Sequence, residues 1–273
     1  MNRYGVVGVV EAVLLIALFA IILATIQLTY IPELMKNREA EHMDLVSNQF
    51  SQLKMAIDML CMSKSNYSLT VPITLGSREI PYFITARAIG EISVRDDSFK
   101  LSIETASGYT NLSLGTIKYI ANNVYYAKQS YILECGAVVL RQNYRDDTMI
   151  SPPNFVFKES GSTIGIDILA VDIESYANRS GTAGVDVTYI RANYSSMTSM
   201  DFTGVNKLVI YTEHTDPWFR FLNYSIENAK IEQEDGKVIV KPEDGYDLDI
   251  HLDLAKIYVQ IGMGWIGETQ KGA

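Results

Sequence analysis

The amino-acid sequence predicts an α+β protein in which one long N-terminal helix precedes a mainly antiparallel, sandwich-like β domain with one short helix. Three patterns predict this fold class. An apolar segment runs from Val6 to Tyr30, an amphipathic helical pattern extends from Met43 to Leu60, and the two-residue periodicity of strands begins at about Leu69. We therefore expect an N-terminal helix at residues 1–63 and a β-rich domain at residues 64–273.

The apolar segment from Val6 to Tyr30 has one charged residue, Glu11. A transmembrane helix needs about 20 apolar residues, whereas a cleavable secretory signal has an apolar core of only about 7–15 before a small-residue cleavage site. This segment is longer and ends at Ile31-Pro32-Glu33, so we expect it to stay attached as a signal anchor. Arg3 precedes it, and the positive-inside rule then places the amino terminus in the cytoplasm and the bulk outside the cell.

The amphipathic half of the helix follows with almost no break. Pro32 lies at the junction, but strong helix formers resume at once, so we expect a kink or local opening rather than an end. Apolar residues then recur at alternating steps of three and four, which predicts one apolar stripe: Met43, Val46, Phe50, Leu53, Ile57 and Leu60. One helix is therefore predicted from about Val6 to about Met62.

Strand-like alternation fills the remainder of the chain. It is clearest in "YDLDIHLDL", where apolar residues from Tyr246 to Leu254 alternate with polar ones. Tight-turn signals occur at Asp235-Gly236 and Asp244-Gly245. The other predicted strands are Lys100 to Ile103, Thr116 to Ile120, Tyr131 to Leu140, Ile166 to Ile173, Val185 to Ile190, Lys207 to Tyr211 and Lys256 to Ile261.

One short helix is predicted within the strand region. Asp216 is the expected N-cap and Pro217 the first helical residue. Its apolar face is expected to consist of Trp218, Phe221, Leu222 and Ile226. The sequence Ser151-Pro152-Pro153-Asn154 predicts a long connecting loop.

The composition narrows the function classes. The chain has 273 residues, 20% of them charged, and a net charge of −9, which argues against a nucleic-acid partner. Its two cysteines, Cys61 and Cys135, form neither a disulfide framework nor a zinc pattern. A single disulfide between them and two buried free thiols both remain open.

Asparagine sequons indicate an extracellular compartment. All of them follow the apolar segment, and none has proline in its middle position: Asn66, Asn111, Asn178, Asn193 and Asn223. They predict a glycoprotein; the alternative is incidental surface polarity.

No catalytic motif is present, so no catalytic residue, cofactor or small-molecule substrate is predicted. Of the three histidines, His42 is expected to be solvated on the charged helix, His214 to lie in the loop before the short helix, and His251 to lie on the acidic face of its strand. Neighbours on that face are about 6.6–7 Å apart, too far for one cation, which favours a solvated acidic strand over a Ca²⁺ site.

The stretch "RYGVVGVVEAVLLIALFAIILATIQLTYIPELMKNREAEHM" resembles the amino terminus of archaeal type IV pilin-like proteins, the superfamily of archaeal pilins and archaellins. Members of that superfamily carry a short basic leader (a class III signal peptide) that a prepilin-type peptidase removes at a glycine. By resemblance, Arg3 matches the basic residue and Gly5 or Gly8 the cleavage glycine. Glu11 then becomes the acidic residue near the mature start.

The resemblance implies a structural or minor subunit of an archaeal type IV pilus-like filament, with the helix in its core and the β domain displayed outside. Expected partners are membrane lipid, other copies of the chain and the pilus assembly machinery. The alternative is a membrane-anchored, non-assembling surface protein whose β domain binds a surface, glycan or protein. Glu11 either pairs with the amino terminus of a neighbouring subunit or reaches lipid headgroups and water.

Overall fold

A computed structural model describes residues 3–77, 88–142, 146–176 and 180–262. It contains one long N-terminal helix and a mostly antiparallel β-rich domain with one short helix, which confirms the predicted fold class. The long helix consists of α1 (Arg3–Thr25), a π-helical turn (Ile26–Tyr30) and α2 (Ile31–Ser63). The short helix is α3 (Thr215–Ser225).

The described strands are numbered in chain order. They are β1 (Ser68–Thr74), β2 (Ile89–Thr105), β3 (Gly108–Asn122), β4 (Gln129–Glu134), β5 (Ala137–Gln142), β6 (Asp146–Ser151), β7 (Phe155–Ser160), β8 (Thr163–Ser175), β9 (Gly181–Gly184), β10 (Val187–Phe202), β11 (Val205–Tyr211), β12 (Ala229–Glu234), β13 (Lys237–Pro242) and β14 (Asp247–Ile261).

These strands form two sheets. One has the order β1-β10-β14-β8-β7, and the other has the order β12-β13-β11-β2-β3-β4-β5-β6, with β9 paired to β2. Among the described strands, β8 and β14 form the one parallel pair, with Ile166 opposite Ile250. Every other described pairing is antiparallel, as the hairpin signals in the sequence predict.

Two apolar clusters hold the layers together. The first places the stripe of α2 against both sheets, with Phe50, Leu53 and Ile57 among its buried members. The second lies between the sheets farther from α2 and includes Trp218 of α3. Because α2 contributes its whole apolar stripe to the first cluster, this half of the helix is an integral part of the domain core.

The π-helical turn has a local cause in Pro32. Proline has no N–H to donate to the carbonyl four residues earlier, and its ring crowds that carbonyl. The helix widens here, and the Ile31 N–H donates to the carbonyl of Ile26, five residues back. The helix therefore opens locally and continues, as the sequence predicts.

Two sequence predictions are wrong in detail. The predicted strand from Tyr131 to Leu140 is a hairpin, because Cys135 and Gly136 both take positive φ values, 45° and 76°, and turn the chain back. The expected long loop at residues 151–154 is a short link, since β6 ends at Ser151 and β7 begins at Phe155.

The start of α3 also differs from the prediction. The helix begins at Thr215, with His214 as its N-cap and no side-chain capping bond. Asp216 is therefore already inside the first turn, where its carboxylate accepts a hydrogen bond from Gln233 of β12. Trp218 and Leu222 are buried on one face, as expected. Phe221 is only half-buried, and Ile226 lies just beyond the end of the helix.

Candidate functional site: the exposed apolar helix

The apolar segment is not covered by the rest of the chain. None of its most apolar window is buried, and large side chains such as Ile16, Phe19 and Leu28 are mostly exposed. At 1.5 Å per residue, the 23 residues of α1 extend about 35 Å, enough to cross a hydrocarbon layer of about 30 Å. The helix is therefore long and apolar enough to span a membrane.

Polar groups within the apolar segment are few. The hydroxyl of Thr25 donates to the carbonyl of Ile21 at 2.9 Å, so it is satisfied within its own helix. A polar side chain satisfied in this way is compatible with an apolar environment. Glu11 is exposed near the start of α1.

The change from exposed to buried occurs immediately after the π-helical turn. Ile31 is the first buried residue among residues 7–63 of the long helix, and Met35 and Glu39 follow on the same face at steps of four. The buried face of α2 therefore begins three turns earlier than the stripe predicted from Met43. The apolar periodicity did not reveal this extension because Glu39, a charged residue, is the third residue of the buried face.

Glu39 connects α2 to the loop between β3 and β4. Its side chain is 0% exposed. Its carboxylate accepts three backbone N–H groups, from Val124 at 3.1 Å, Tyr125 at 2.7 Å and Tyr126 at 2.6 Å. Hydrogen bonds to an ionised acceptor are about twice as strong as neutral ones, so this contact fixes the helix to the loop.

Two further polar side chains of α2 bind the end of β1. Gln49 accepts the Thr74 N–H at 2.9 Å and donates to its hydroxyl at 3.1 Å. His42 Nε2 lies 3.0 Å from the Thr74 carbonyl oxygen. The expectation that His42 is solvated is wrong: it is buried, and burial lowers its pKa, opposed by its contact with Thr74 and the charge of Glu39.

Aromatic contacts secure the centre of α2. Phe50 is fully buried, with its ring centroid 6.1 Å from that of Tyr119 and 5.5 Å from that of Tyr131. The hydroxyl of Tyr131 donates to the carbonyl of Met43 at 3.2 Å. The long helix thus has one half fixed in the domain and one half that lies outside its core.

The predicted leader positions lie in the exposed half. Arg3 and Gly5 belong to the first turns of α1. Gly8 is in the same helix, and a Cβ atom added there would have no neighbour within 4 Å. Gly8 and Glu11 are both exposed.

The sequons differ in accessibility. Asn66, Asn111 and Asn223 are exposed. Asn193 is half-buried in β10, between β1 and β14, and its Oδ1 is buried without a hydrogen-bond partner in the described part of the chain. Asn178 lies outside the described residues. Attachment at Asn193 would require a glycan on a strand paired on both sides.

The two cysteines are free and buried. They belong to different apolar clusters, Cys61 to the one around α2 and Cys135 to the one between the sheets. Burial raises the pKa of Cys61 to about 12 and raises that of Cys135 as well. Both thiols are therefore protonated at neutral pH.

On the acidic face of β14, a histidine contacts a carboxylate, but the acidic side chains do not converge as metal ligands would. His251 Nδ1 lies 2.6 Å from Asp201 of β10, and this hydrogen bond raises the pKa of His251. Asp249 instead accepts the Gly204 N–H at 3.0 Å. Across the described ranges, no group of three His, Cys, Asp or Glu side chains could hold a metal ion.

A buried polar cluster beside α3 was not predicted. The fully buried Glu134 accepts the indole N–H of Trp218 at 2.7 Å and the hydroxyl of Thr212, and desolvation raises its pKa. His214 Nδ1 lies 2.6 Å from Asp147 of β6. These bonds fix α3 to the sheet, and sequence periodicity could not reveal them because their partners are far apart in the chain.

A surface groove of about 430 Å³ lies between β6 and α3. Its lining includes Asp147, Arg220, Phe221 and Tyr224, and Tyr224 is 93% exposed.

Compared with known proteins, the chain matches no family model, no curated protein and no solved structure.

Proposed function

We propose that the protein is a structural or minor subunit of an archaeal type IV pilus-like cell-surface filament, with α1 in the filament core and the β domain outside. The observation that carries this proposal is the division of one continuous helix at Ile31. Every described side chain before this residue lies outside the core, and the face after it is buried in the domain. A subunit of this kind needs a fixed domain and a free apolar helix that can pack against other copies.

The rigid attachment of α2 supports the same role. Contacts of Glu39, His42 and Gln49 with the β domain hold α2 at one orientation. Because α1 continues α2 without a flexible linker, the domain fixes the direction in which the apolar helix leaves it. Repeating subunits in a filament require such a constant geometry.

Small residues on α1 offer places where neighbouring helices can approach closely. Gly8 and Ala12 are one turn apart on one side, and Ala17, Ala20 and Ala24 follow each other at steps of three and four on another. In a filament these positions contact other copies, whereas around a lone anchor they contact lipid.

The first experiment determines the amino-terminal residue of protein from native cells and images sheared surface material by electron microscopy. The proposal predicts a mature chain that begins after Gly5 or Gly8, together with filaments that contain it. An intact amino terminus, with release from cells only by detergent, would refute assembly and leave the anchored surface protein.

A second experiment enlarges one small residue. Ala20→Leu should reduce filament yield at least about tenfold while membrane insertion and domain stability stay unchanged, because Ala20 is exposed on α1. Ile16→Leu is the control, since it keeps an exposed apolar residue of equal size one turn away. Equal filament yield from the two variants would argue against close packing at Ala20.

The groove beside α3 favours a second candidate, a membrane-anchored protein that displays a binding domain. Phe221 and Tyr224 provide aromatic surface there, and Arg220 and Asp147 provide charge, a combination typical of binding sites for sugars or protein segments. A glycan-array measurement with wild type and Tyr224→Ala tests this candidate. It predicts specific binding that the substitution removes, and no binding by wild type would count against it.

A further inference from the structure

A lysine, an aspartate and an asparagine meet where α2 contacts the link between β6 and β7. Lys54 Nζ lies 2.6 Å from Asp58 Oδ2 and 3.3 Å from Asn154 Oδ1. Asn154 Nδ2 donates to Asp58 Oδ1 at 2.7 Å. The three side chains thus close a ring in which one carboxylate contacts both the amine and the amide nitrogen.

The surroundings hold this ring in place and limit its contact with water. Lys54 is 8% exposed, which is unusual for a lysine. The carbonyl of Asn154 accepts the Leu169 N–H of β8 at 3.1 Å, and Pro152 and Pro153 restrict the chain just before it. Lys54 and Asp58 are one turn apart on α2. The reacting groups are therefore positioned by two separate rigid elements.

We propose that Lys54 and Asn154 form an intramolecular isopeptide bond, with Asp58 as the acid–base group. A proton first passes from Lys54 Nζ to Asp58, which leaves a neutral amine and a carboxylic acid. This transfer removes two charges from a site in which the Lys54 and Asp58 side chains are 10% and 20% exposed. The amine nitrogen then attacks Cγ of Asn154, whose oxygen it already contacts.

The remaining proton transfers complete the exchange. Asp58 gives its proton to the Nδ2 nitrogen it already contacts and takes one from the attacking nitrogen. The Cγ–Nδ2 bond breaks and ammonia leaves. The products are a secondary amide between Lys54 and Asn154, one ammonia molecule and a protonated Asp58. No oxidant or other reactant is required.

The bond would join α2 covalently to a position 100 residues later in the β domain. Pulling on the apolar helix would then load a covalent link as well as the packed core. This inference does not depend on filament assembly, because an anchored surface protein would contain the same three residues in the same contact.

The test uses the full-length protein in detergent and tryptic peptide mass spectrometry. With the bond, cleavage after Lys54 is blocked, and Glu39–Lys64 appears joined to Asp146–Lys158, lighter than the two peptides together by the mass of one ammonia molecule. Neither peptide contains a sequon, so glycosylation does not disturb the readout. Tandem fragmentation should locate the branch at Lys54 and Asn154.

Lys54→Arg and Asp58→Asn should each abolish the joined peptide. Lys256→Arg is the matched control: it alters another ion-paired lysine, bound to Glu174, and should leave the joined peptide intact. Circular dichroism checks that each variant is folded, and the wild-type peptides decide the question without any variant.

Separate peptides in the folded wild-type protein would overturn the proposal. Loss of ammonia that persists in Lys54→Arg would also overturn the proposal, because formation of a succinimide at Asn154 removes the same mass without a cross-link. A joined peptide in Asp58→Asn would overturn the acid–base role of Asp58.

Discussion

The contact between Glu39 and the loop from β3 to β4 allows the most specific test of how α2 is attached. Glu39→Gln keeps the size of the side chain and removes its charge. The new carbonyl oxygen can still accept the N–H groups of Tyr125 and Tyr126, but the new amide then points its own N–H groups at the Val124 N–H. One buried bond is lost and two become weaker.

The magnitude follows from these three bonds. Hydrogen bonds to charged groups contribute about 1.5–3 kcal/mol each, and neutral ones about 0.5–1.5 kcal/mol. Loss of the Val124 bond and weakening of the other two should therefore lower the free energy of unfolding by about 3–5 kcal/mol. Local opening should make the amides of Val124, Tyr125 and Tyr126 exchange hydrogen about 100-fold faster.

The assay is urea unfolding of the full chain in detergent, followed by hydrogen exchange of the loop peptide. Glu41→Gln provides the control, because it is the same change on an exposed position of the same helix. If Glu39→Gln and Glu41→Gln unfold at the same urea concentration and exchange equally, the carboxylate does not hold the helix and the reasoning is refuted.

Two further predictions concern the same helix. Phe50→Asp should lower the free energy of unfolding by at least about 4 kcal/mol, because it places a charge among buried aromatic rings. The control, Met55→Asp on the exposed face of α2, should lower it by less than about 1 kcal/mol. Equal melting temperatures for the two variants would contradict the packing of Phe50. Burial lowers the pKa of His42 below its usual value of 6.5 in the native state. On acidification the unfolded state therefore binds a proton at His42 at a higher pH than the native state does. The free energy of unfolding should fall as the pH drops below about 6.5. Urea titrations between pH 5 and 8 should show that His42→Gln loses less unfolding free energy on acidification than wild type does. If the two proteins had the same pH dependence, His42 would have the same pKa in the native and unfolded states.

Much of the fold was readable from local patterns. The apolar segment, the stripe from Met43 to Leu60 and the hairpin at Asp235-Gly236 are all present in the structure. The hairpin at Cys135-Gly136 was missed because a cysteine with positive φ carries no turn signal in sequence. The parallel pairing of β8 with β14 was also not predictable, since it joins strands separated by more than 70 residues.

The sequence by itself determined which surfaces are apolar, because hydrophobic periodicity reports helix and strand faces residue by residue. It therefore determined that one continuous helix has an entirely apolar half and an amphipathic half. Only the tertiary structure decided which polar residues are buried and what they contact. Glu39, His42 and Lys54 look like solvated helix residues until partners from distant strands and loops meet them. Such pairs depend on chain segments that are brought together by packing, and no local pattern encodes them.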